Sequence, residues 1–596
     1  MITSLQKSIS QLLAASGIDE AQFKILLCTL LSFPFSAIFK RLPDTRYSLK
    51  NFYVVGVSAF YIFGVLDIKY GLWPLVFSAT GCYFITRYLR TDLMPWINFL
   101  FLMTHLSYSH IHAQFFNEYD PTVIDITGAQ MVLVMKLSAF GWNVHDGKQA
   151  TQPSEYTKQR AIKKHPNVLP YMGYVFFYPS LLTGPAFDYV DYDKFIHSTL
   201  FDDVPEEKRP GKKRKRRIPR SGRQSFYKVC QGVFFALLYL QLPKYVNLDY
   251  VFSDGFVLHH SFLFRIFYLW ILGIGHRLKY YTIWLIAEGA CILCGIGYNG
   301  YDASTKKFKW NRVQNIAPFT FESGQNVHVC LEAWNMNTNK WLKHYVYTRI
   351  ARRGAKPGFK STLFTFATSA FWHGTRPGYY LTFVMGAFLQ TLGKIYRRNL
   401  RPIFLEADGK TPKKSKIVYD FVSWIVTQLA FGFVCQPFVI LDLKKSLYCW
   451  STVYFYIPIA TAVTLFLFKG PYAKPITKWC QSMAPTKPVA IKESKFTPEE
   501  TAKVNDAFDL ILNDKNQSPT LGLPPIEALN EASKEVFEAE LKDLSEAWSS
   551  FLARKETSHN DLEALRDAYH NFTQEINEII LARTNELQNA TNTKQE

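Results

Sequence analysis

Apolar stretches long enough, or nearly long enough, to cross a hydrocarbon core recur about a dozen times between residues 20 and 470. They lie at 23–39, 52–66, 71–86, 95–112, 168–183, 226–243, 261–275, 279–297, 359–373, 379–393, 419–440 and 447–468. A crossing helix needs roughly 20 such residues. In lipid every backbone polar group must be satisfied within the protein, so a chain of this pattern folds as an all-α polytopic membrane protein. Several segments are short or carry His, Arg or Glu, the pattern of tilted, broken or re-entrant helices that line a cavity. The opening MITSLQKSISQLLAASGIDEAQ has no basic region leading into an apolar core, so the first span is expected to be a retained anchor.

A mean hydropathy of −0.05 hides this segregation. From position 481 onward there are 12 basic and 21 acidic residues, a net of −9 against +20 for the whole chain, which leaves +29 on residues 1–480. With 19% charged and 16% aromatic residues, disorder of the whole chain is excluded. The expected division is an N-terminal segment 1–22, a membrane domain 23–475 and an acidic, helical C-terminal tail 486–596. Within the tail Thr497-Pro498-Glu499-Glu500 reads as a helix start, and Phe537, Leu541, Leu544, Trp548 and Phe551 recur at helical spacing, as do Leu562, Leu565, Tyr569, Phe572, Ile576 and Ile579. Basic connectors punctuate the membrane domain, and the densest, in the loop 205–223, belongs in the cytosol by the positive-inside rule. Lying between two apolar segments, it reads as a topology determinant that attracts anionic headgroups, and no nucleic-acid partner is expected.

Nine cysteines are scattered without a disulfide pattern, and the pair Cys291 and Cys294 lies in an apolar run, where free Cys behaves as a small hydrophobe. His110 and His112 lack the carboxylate and the spacing of a metal site, and no metal is expected. The most suggestive region is EAWNMNTNKWLKHYVYTRIARRGAKPGFKSTLFTFATSAFWHGTRPGYY, residues 332–380. It sets an amide cluster, Asn335, Asn337 and Asn339, between Trp334 and Trp341, and then ends an apolar helix on Trp372-His373-Gly374. Imidazole is the side chain suited to moving a proton near neutrality, although a lone histidine at a helix end is as a rule a hydrogen-bonded structural residue.

Those residues carry a resemblance. WNMNTNKWLKHYVY followed by SAFWHGTRPGYY closely resembles the signature of the membrane-bound O-acyltransferase family, and specifically of its fungal lysophospholipid acyltransferases. HIHAQF (110–115), DITGAQMVLVMKL (125–137), LLTGPAFDY (181–189) and EGACILCGIGYNGYD (288–302) resemble the family as well, so the likeness spans roughly residues 20–475. It implies about eleven transmembrane helices plus re-entrant ones around a catalytic chamber. It implies a catalytic pair, His373 of the W-H-G motif and the asparagine after the first tryptophan of W-N-x-N-T-N-x-W, here Asn335, with Asn337 and Asn339 as rival assignments. It also implies acyl transfer from acyl-CoA, as co-substrate and with no cofactor, to a lysophospholipid, in the endoplasmic reticulum membrane.

The residue types suit that chemistry. A base must take the hydroxyl proton as oxygen attacks the thioester, and a donor must meet the charge that develops on the carbonyl. No serine or cysteine with a neighbouring base is evident, so direct attack in a ternary complex is expected. Lys340, Lys343, Arg349, Arg352, Arg353 and Lys360 are candidates for the phosphates of the acyl donor, with interfacial snorkelling as their plainer role. Trp334, Trp341 and Trp372 are expected to wall the site and Glu288 to shape the cavity by a buried polar contact, while His110, His112 and Asp125 read as structural. The chain ends in NTKQE, in which a dilysine retrieval signal is incomplete. A sterol, diacylglycerol or protein acceptor, and a lipid or solute transporter, are the alternatives. A transporter would be expected to show a second copy of the motifs, and none is found.

Overall fold

The computed structural model describes residues 6–7, 9–13, 19–68, 72–116, 126–149, 154–210, 216–350 and 359–485. The chain divides into two compact units, Met1–Lys487 and Pro488–Glu596, and the two helical stripes expected in the acidic tail lie outside the described residues.

The membrane domain is a bundle of helices, among them α1 (Glu20–Phe39), α2 (Tyr47–Ala59), α3 (Trp73–Tyr88), α4 (Met94–Phe115), α5 (Thr127–Asp146), α6 (Gly222–Gln241), α7 (Phe262–Cys294), the short α8 (Val327–Ala333) and α9 (Met336–Leu342), α10 (Phe359–His373), α11 (Pro377–Asn399), α12 (Lys416–Ile440) and α13 (Tyr456–Lys469), with further short helices between and after them. Among the described residues the strands are one two-residue antiparallel ribbon, Tyr301–Asp302 against Lys307–Phe308. Among the described residues four helical stretches are long and apolar enough to cross a membrane, Glu20–Phe39, Tyr47–Val65, Gly222–Val251 and Lys416–Ile440. The pair Leu443–Ser451 and Tyr456–Lys469, bent by 76°, makes a fifth if it is one broken span. The remaining long helices carry polar side chains among their apolar ones, such as Asn98 on α4, Lys136 on α5 and Arg277 on α7, all buried in the bundle.

Three segments differ from the sequence expectation. The runs 261–275 and 279–297 are one continuous helix, α7, of 33 residues, about 50 Å long at 1.5 Å per residue. His276-Arg277-Leu278-Lys279, which interrupts the apolarity, does not interrupt the helix, because Arg277 is paired internally with Glu322 (2.8 Å). The run 168–183 is broken, with a helix over Val168–Val175 followed by a tight turn at Tyr178–Ser180. Conversely α5, noted only for its motif, is a 20-residue helix buried along most of its length. Its Lys136 is hidden because Nζ donates to the carbonyls of Tyr174 (2.5 Å) and Val175 (3.3 Å).

Two large apolar clusters organise the bundle. One gathers α1–α5 with Trp341, Tyr345 and Trp372, and the other gathers α7 and α12 with Phe321, Cys330 and Ala333. The polypeptide from Ala333 to Trp341 thus crosses from one cluster to the other, and the amide-rich motif sits at their seam.

Candidate active site

His373 is the last residue of α10. Ser369 lies four residues earlier on the same helix face, and Nδ1 of His373 is 2.6 Å from its carbonyl oxygen. A carbonyl can only accept, so Nδ1 carries the proton and Nε2 holds the lone pair. No described side chain hydrogen-bonds Nε2. The ring is held edge and face by Trp372 (4.6 Å between centroids), Phe383 (4.7 Å), Phe438 (5.2 Å) and Tyr379 (5.8 Å). The glycine of W-H-G has a structural cause: Gly374 has φ +143°, a conformation that side chains with a Cβ avoid, and it turns the chain from α10 into α11. Gly378 lets the start of α11 close on the end of α12. Its N–H donates to Leu441 O (3.0 Å), and a Cβ there would lie 2.1 Å from Pro437 O.

The HIHAQF motif on α4 secures the same turn from the other side. His110 Nε2–H donates to the Trp372 carbonyl (3.2 Å), and Thr375 Oγ1 donates to Gln114 Oε1 (2.7 Å). His112 is exposed against Tyr108 and Phe116.

Asn335 joins α8 to α9 with φ +41° and ψ +55°, the left-handed conformation that asparagine tolerates best among residues with a Cβ. It occupies the N-cap position without using its side chain as a cap. Its Oδ1 accepts from Thr338 Oγ1 (2.8 Å), and Nδ2 has no partner among the described residues. The two rival asparagines are committed elsewhere. Asn337 Nδ2 donates to Asn315 Oδ1 (3.1 Å) and lies 3.3 Å from the Val313 and Gln314 carbonyls. Asn339 Nδ2 donates to the carbonyls of Leu331 and Trp334 and fastens the turn between α8 and α9. Trp334 packs among Tyr280, Tyr281, Trp284 and Phe321 at 5.3–5.8 Å.

Helix α5 is the rack to which both motifs are pinned. Met131, Met135 and Ser138 share one face. The Met131 carbonyl accepts Trp372 Nε1–H (3.0 Å), Met135 Sδ lies 3.1 Å from Thr338 Oγ1, and Ser138 Oγ accepts Trp341 Nε1–H (2.8 Å). The two tryptophan rings meet at 5.8 Å. About two helical turns further, Asp146 receives Arg349 at 2.9 and 2.5 Å, with the guanidinium 4.3 Å from the Trp142 ring. Asp188 of LLTGPAFDY accepts from Tyr345 (2.8 Å) and from Arg160 (2.7 Å).

A cavity of about 2010 Å³ runs between the clusters. His373, Asn335, Trp334, Asn337, Asn339, Lys343 and Trp372 line it. Its wall is mostly aromatic and aliphatic, and Lys394, Arg397, Arg401 and Lys416 also face it, Lys416 being paired with Asp420 (2.7 Å). The other candidates stand back from it. Trp341 is a buried prop behind Trp372, Lys340 is exposed on the far side of α9, and Lys360 is exposed at the start of α10. Arg349 is consumed by Asp146, and Glu288 is buried between α6 and α7 against Lys228 (3.0 Å). Asp125, Arg352 and Arg353 lie outside the described residues. Among the described residues no group of three or more His, Cys, Asp or Glu side chains is placed to hold a metal ion.

Sequence reasoning overlooked Ser369, Thr338 and the cations of α11 and α12. Ser369 and Thr338 were discoverable in principle, being four residues before His373 and three after Asn335 and so on the same helix face as each. The cations carried no such signal, since Arg397 and Lys416 resemble any interfacial base until the cavity is seen.

Residues 111–436 match the model of the MBOAT, membrane-bound O-acyltransferase family. The chain is 45% identical to a Saccharomyces cerevisiae lysophospholipid acyltransferase over 97% of its own length and 95% of that protein. It is 42% identical to a Schizosaccharomyces pombe lysophospholipid acyltransferase over 76% of its length and 87% of the relative. A human membrane-bound glycerophospholipid O-acyltransferase 1 is 29% identical over 77% of this chain and 91% of that one.

Proposed function

The chain belongs to the membrane-bound O-acyltransferase family and acts as a lysophospholipid acyltransferase, and we propose that it passes the acyl group of acyl-CoA directly to the lysophospholipid hydroxyl with His373 as general base. The observation that carries the mechanism is the tautomer. Nδ1–H of His373 is tied to Ser369 O, so Nε2 presents its lone pair in the cavity that Asn335 also lines.

The hydroxyl oxygen attacks the thioester carbonyl as Nε2 takes its proton. The Asn335 amide N–H groups, whose oxygen is already engaged by Thr338, meet the charge growing on the carbonyl oxygen. The C–S bond then breaks, and the proton on Nε2 returns to the departing coenzyme A thiolate. A thiolate leaves readily, so no second acid is required. No described hydroxyl or thiol is hydrogen-bonded to Nε2 of His373, which favours direct transfer over an acyl-enzyme. In this reading Lys343, Lys394, Arg397 and Arg401, which line the cavity, meet the phosphates of the donor, and the aromatic wall receives its hydrocarbon chain. The reading needs acyl-CoA as co-substrate and no cofactor. We propose the endoplasmic reticulum membrane as the location of this multi-pass protein, as the family resemblance implies.

The test is coenzyme A release by the purified protein with acyl-CoA and a panel of acceptors. Release that requires a lysophospholipid, with sequential kinetics, is expected. Turnover with a sterol, diacylglycerol or peptide in its place, or ping-pong kinetics, would overturn the acceptor or the direct-transfer step respectively.

A further inference from the structure

Asn335 can serve the thioester only if its amide faces the right way. A carboxamide presents two donors on one side and an acceptor on the other, and the two edges are nearly equal in size, so shape alone does not choose between them. The choice is made by a neighbour. Thr338 lies three residues on, at the first turn of α9, with 4% of its surface exposed. Its hydroxyl is 2.8 Å from Asn335 Oδ1 and 3.1 Å from Met135 Sδ. One hydroxyl has one proton, and a carboxamide oxygen is a far better acceptor than a thioether. The β-branched side chain has few rotamers, and Met135 backs it, so the donor is fixed in place.

We infer that Thr338 is a positioning residue for the acyl transfer: its hydroxyl locks the Asn335 amide with the oxygen inward and both N–H donors toward the cavity. The inference rests on the proposed role of Asn335. Without the hydroxyl the amide can turn over and aim its acceptor at the developing oxyanion, which repels it. The effect falls on the chemical step, because the ground-state thioester carbonyl gains much less from the donors than the transition state does.

Thr338→Val keeps the branched shape and removes the hydrogen bond, and Thr338→Ser keeps the hydroxyl and removes the methyl. In the purified enzyme, Thr338→Val should lower kcat by about tenfold to a hundredfold. KM for donor and acceptor should stay within about twofold, since misorientation of a transition-state group leaves ground-state binding in place. Thr338→Ser should recover most of the rate. In an Asn335→Ala background, Thr338→Val should add less than about twofold, because the group it positions is gone. A packing role predicts the reverse, a silent Val and an impaired Ser. Should Val reduce the yield of folded protein, Thr338→Ala against Thr338→Ser gives the same comparison. Wild-type kcat in Thr338→Val, with Asn335→Ala slowed at least a hundredfold, overturns this inference alone. An active Asn335→Ala overturns the role of Asn335 from which it starts.

Discussion

Replacing His373 separates the loss of a base from the loss of a packed ring, and the two have different sizes. The imidazole is half-buried and touches four aromatic rings at 4.6–5.8 Å. Truncation to Ala therefore costs about 1–3 kcal/mol of packing. The hydrogen bond to Ser369 adds little to that loss, since the Ser369 carbonyl is in a helix and retains its backbone partner there. General-base catalysis contributes about 10²–10⁴ in rate, or roughly 3–5 kcal/mol of barrier. His373→Ala should thus insert and purify with a slightly lowered melting temperature while turnover falls at least a hundredfold. His373→Gln, which fills more of the space but offers no base, should be equally inactive and closer to wild type in stability. The assay is coenzyme A thiol release, initiated with lysophospholipid and normalised to protein that remains monodisperse. Turnover within tenfold of wild type in either variant would refute His373 as the base. Loss of activity together with loss of folded protein in both would show the ring to be structural.

Asn335→Ala should lower kcat by about 10²–10³, the worth of one oxyanion donor, whereas Asn339→Ala should lower thermal stability and leave the rate per folded molecule near wild type. The reverse ranking in a paired kinetic and melting experiment would reassign the catalytic amide. Arg349→Ala breaks a buried, bidentate pair with Asp146 and should destabilise by about 3–5 kcal/mol without raising KM for acyl-CoA. A raised KM with unchanged melting would restore it as a phosphate ligand. Conversely, Arg397→Ala and Arg401→Ala should raise KM for acyl-CoA severalfold at unchanged kcat, and the effect should shrink as salt is added. Truncation after residue 485 should leave substantial specific activity, and complete loss in a stably expressed truncation would show the acidic tail to be part of the enzyme.

The readable part of the site was the part written in contiguous residues. Asn335 and His373 each stand in a local motif, and the glycines beside His373 announce a sharp turn whose φ the structure then supplies. Three asparagines two residues apart offered no way to rank their chemistry beyond a resemblance. Their amides differ only in what accepts from them: Asn337 donates to Val313 and Asn315 more than twenty residues away, and Asn339 to carbonyls of the turn before it, which is set only once the chain is folded. The same holds for the basic residues. Lys340, Lys343 and Arg349 follow one another along a single segment, yet one is exposed away from the cavity, one faces it and one is spent on Asp146. Helix α5 looks half-polar in sequence through Gln130, Lys136 and Asn143, although each is buried inside the bundle.

Solvent preference and charge are sums over neighbouring residues, so apolar runs and charge counts were enough to establish an all-α membrane chain, its basic loops and its contrasting acidic tail. Hydrogen bonds instead are won one acceptor at a time, between groups up to 262 residues apart, as with His110 and Trp372. That competition sets which nitrogen of His373 is bare, which asparagine keeps its donors and which cations reach the cavity, and it has an outcome only once the helices are packed.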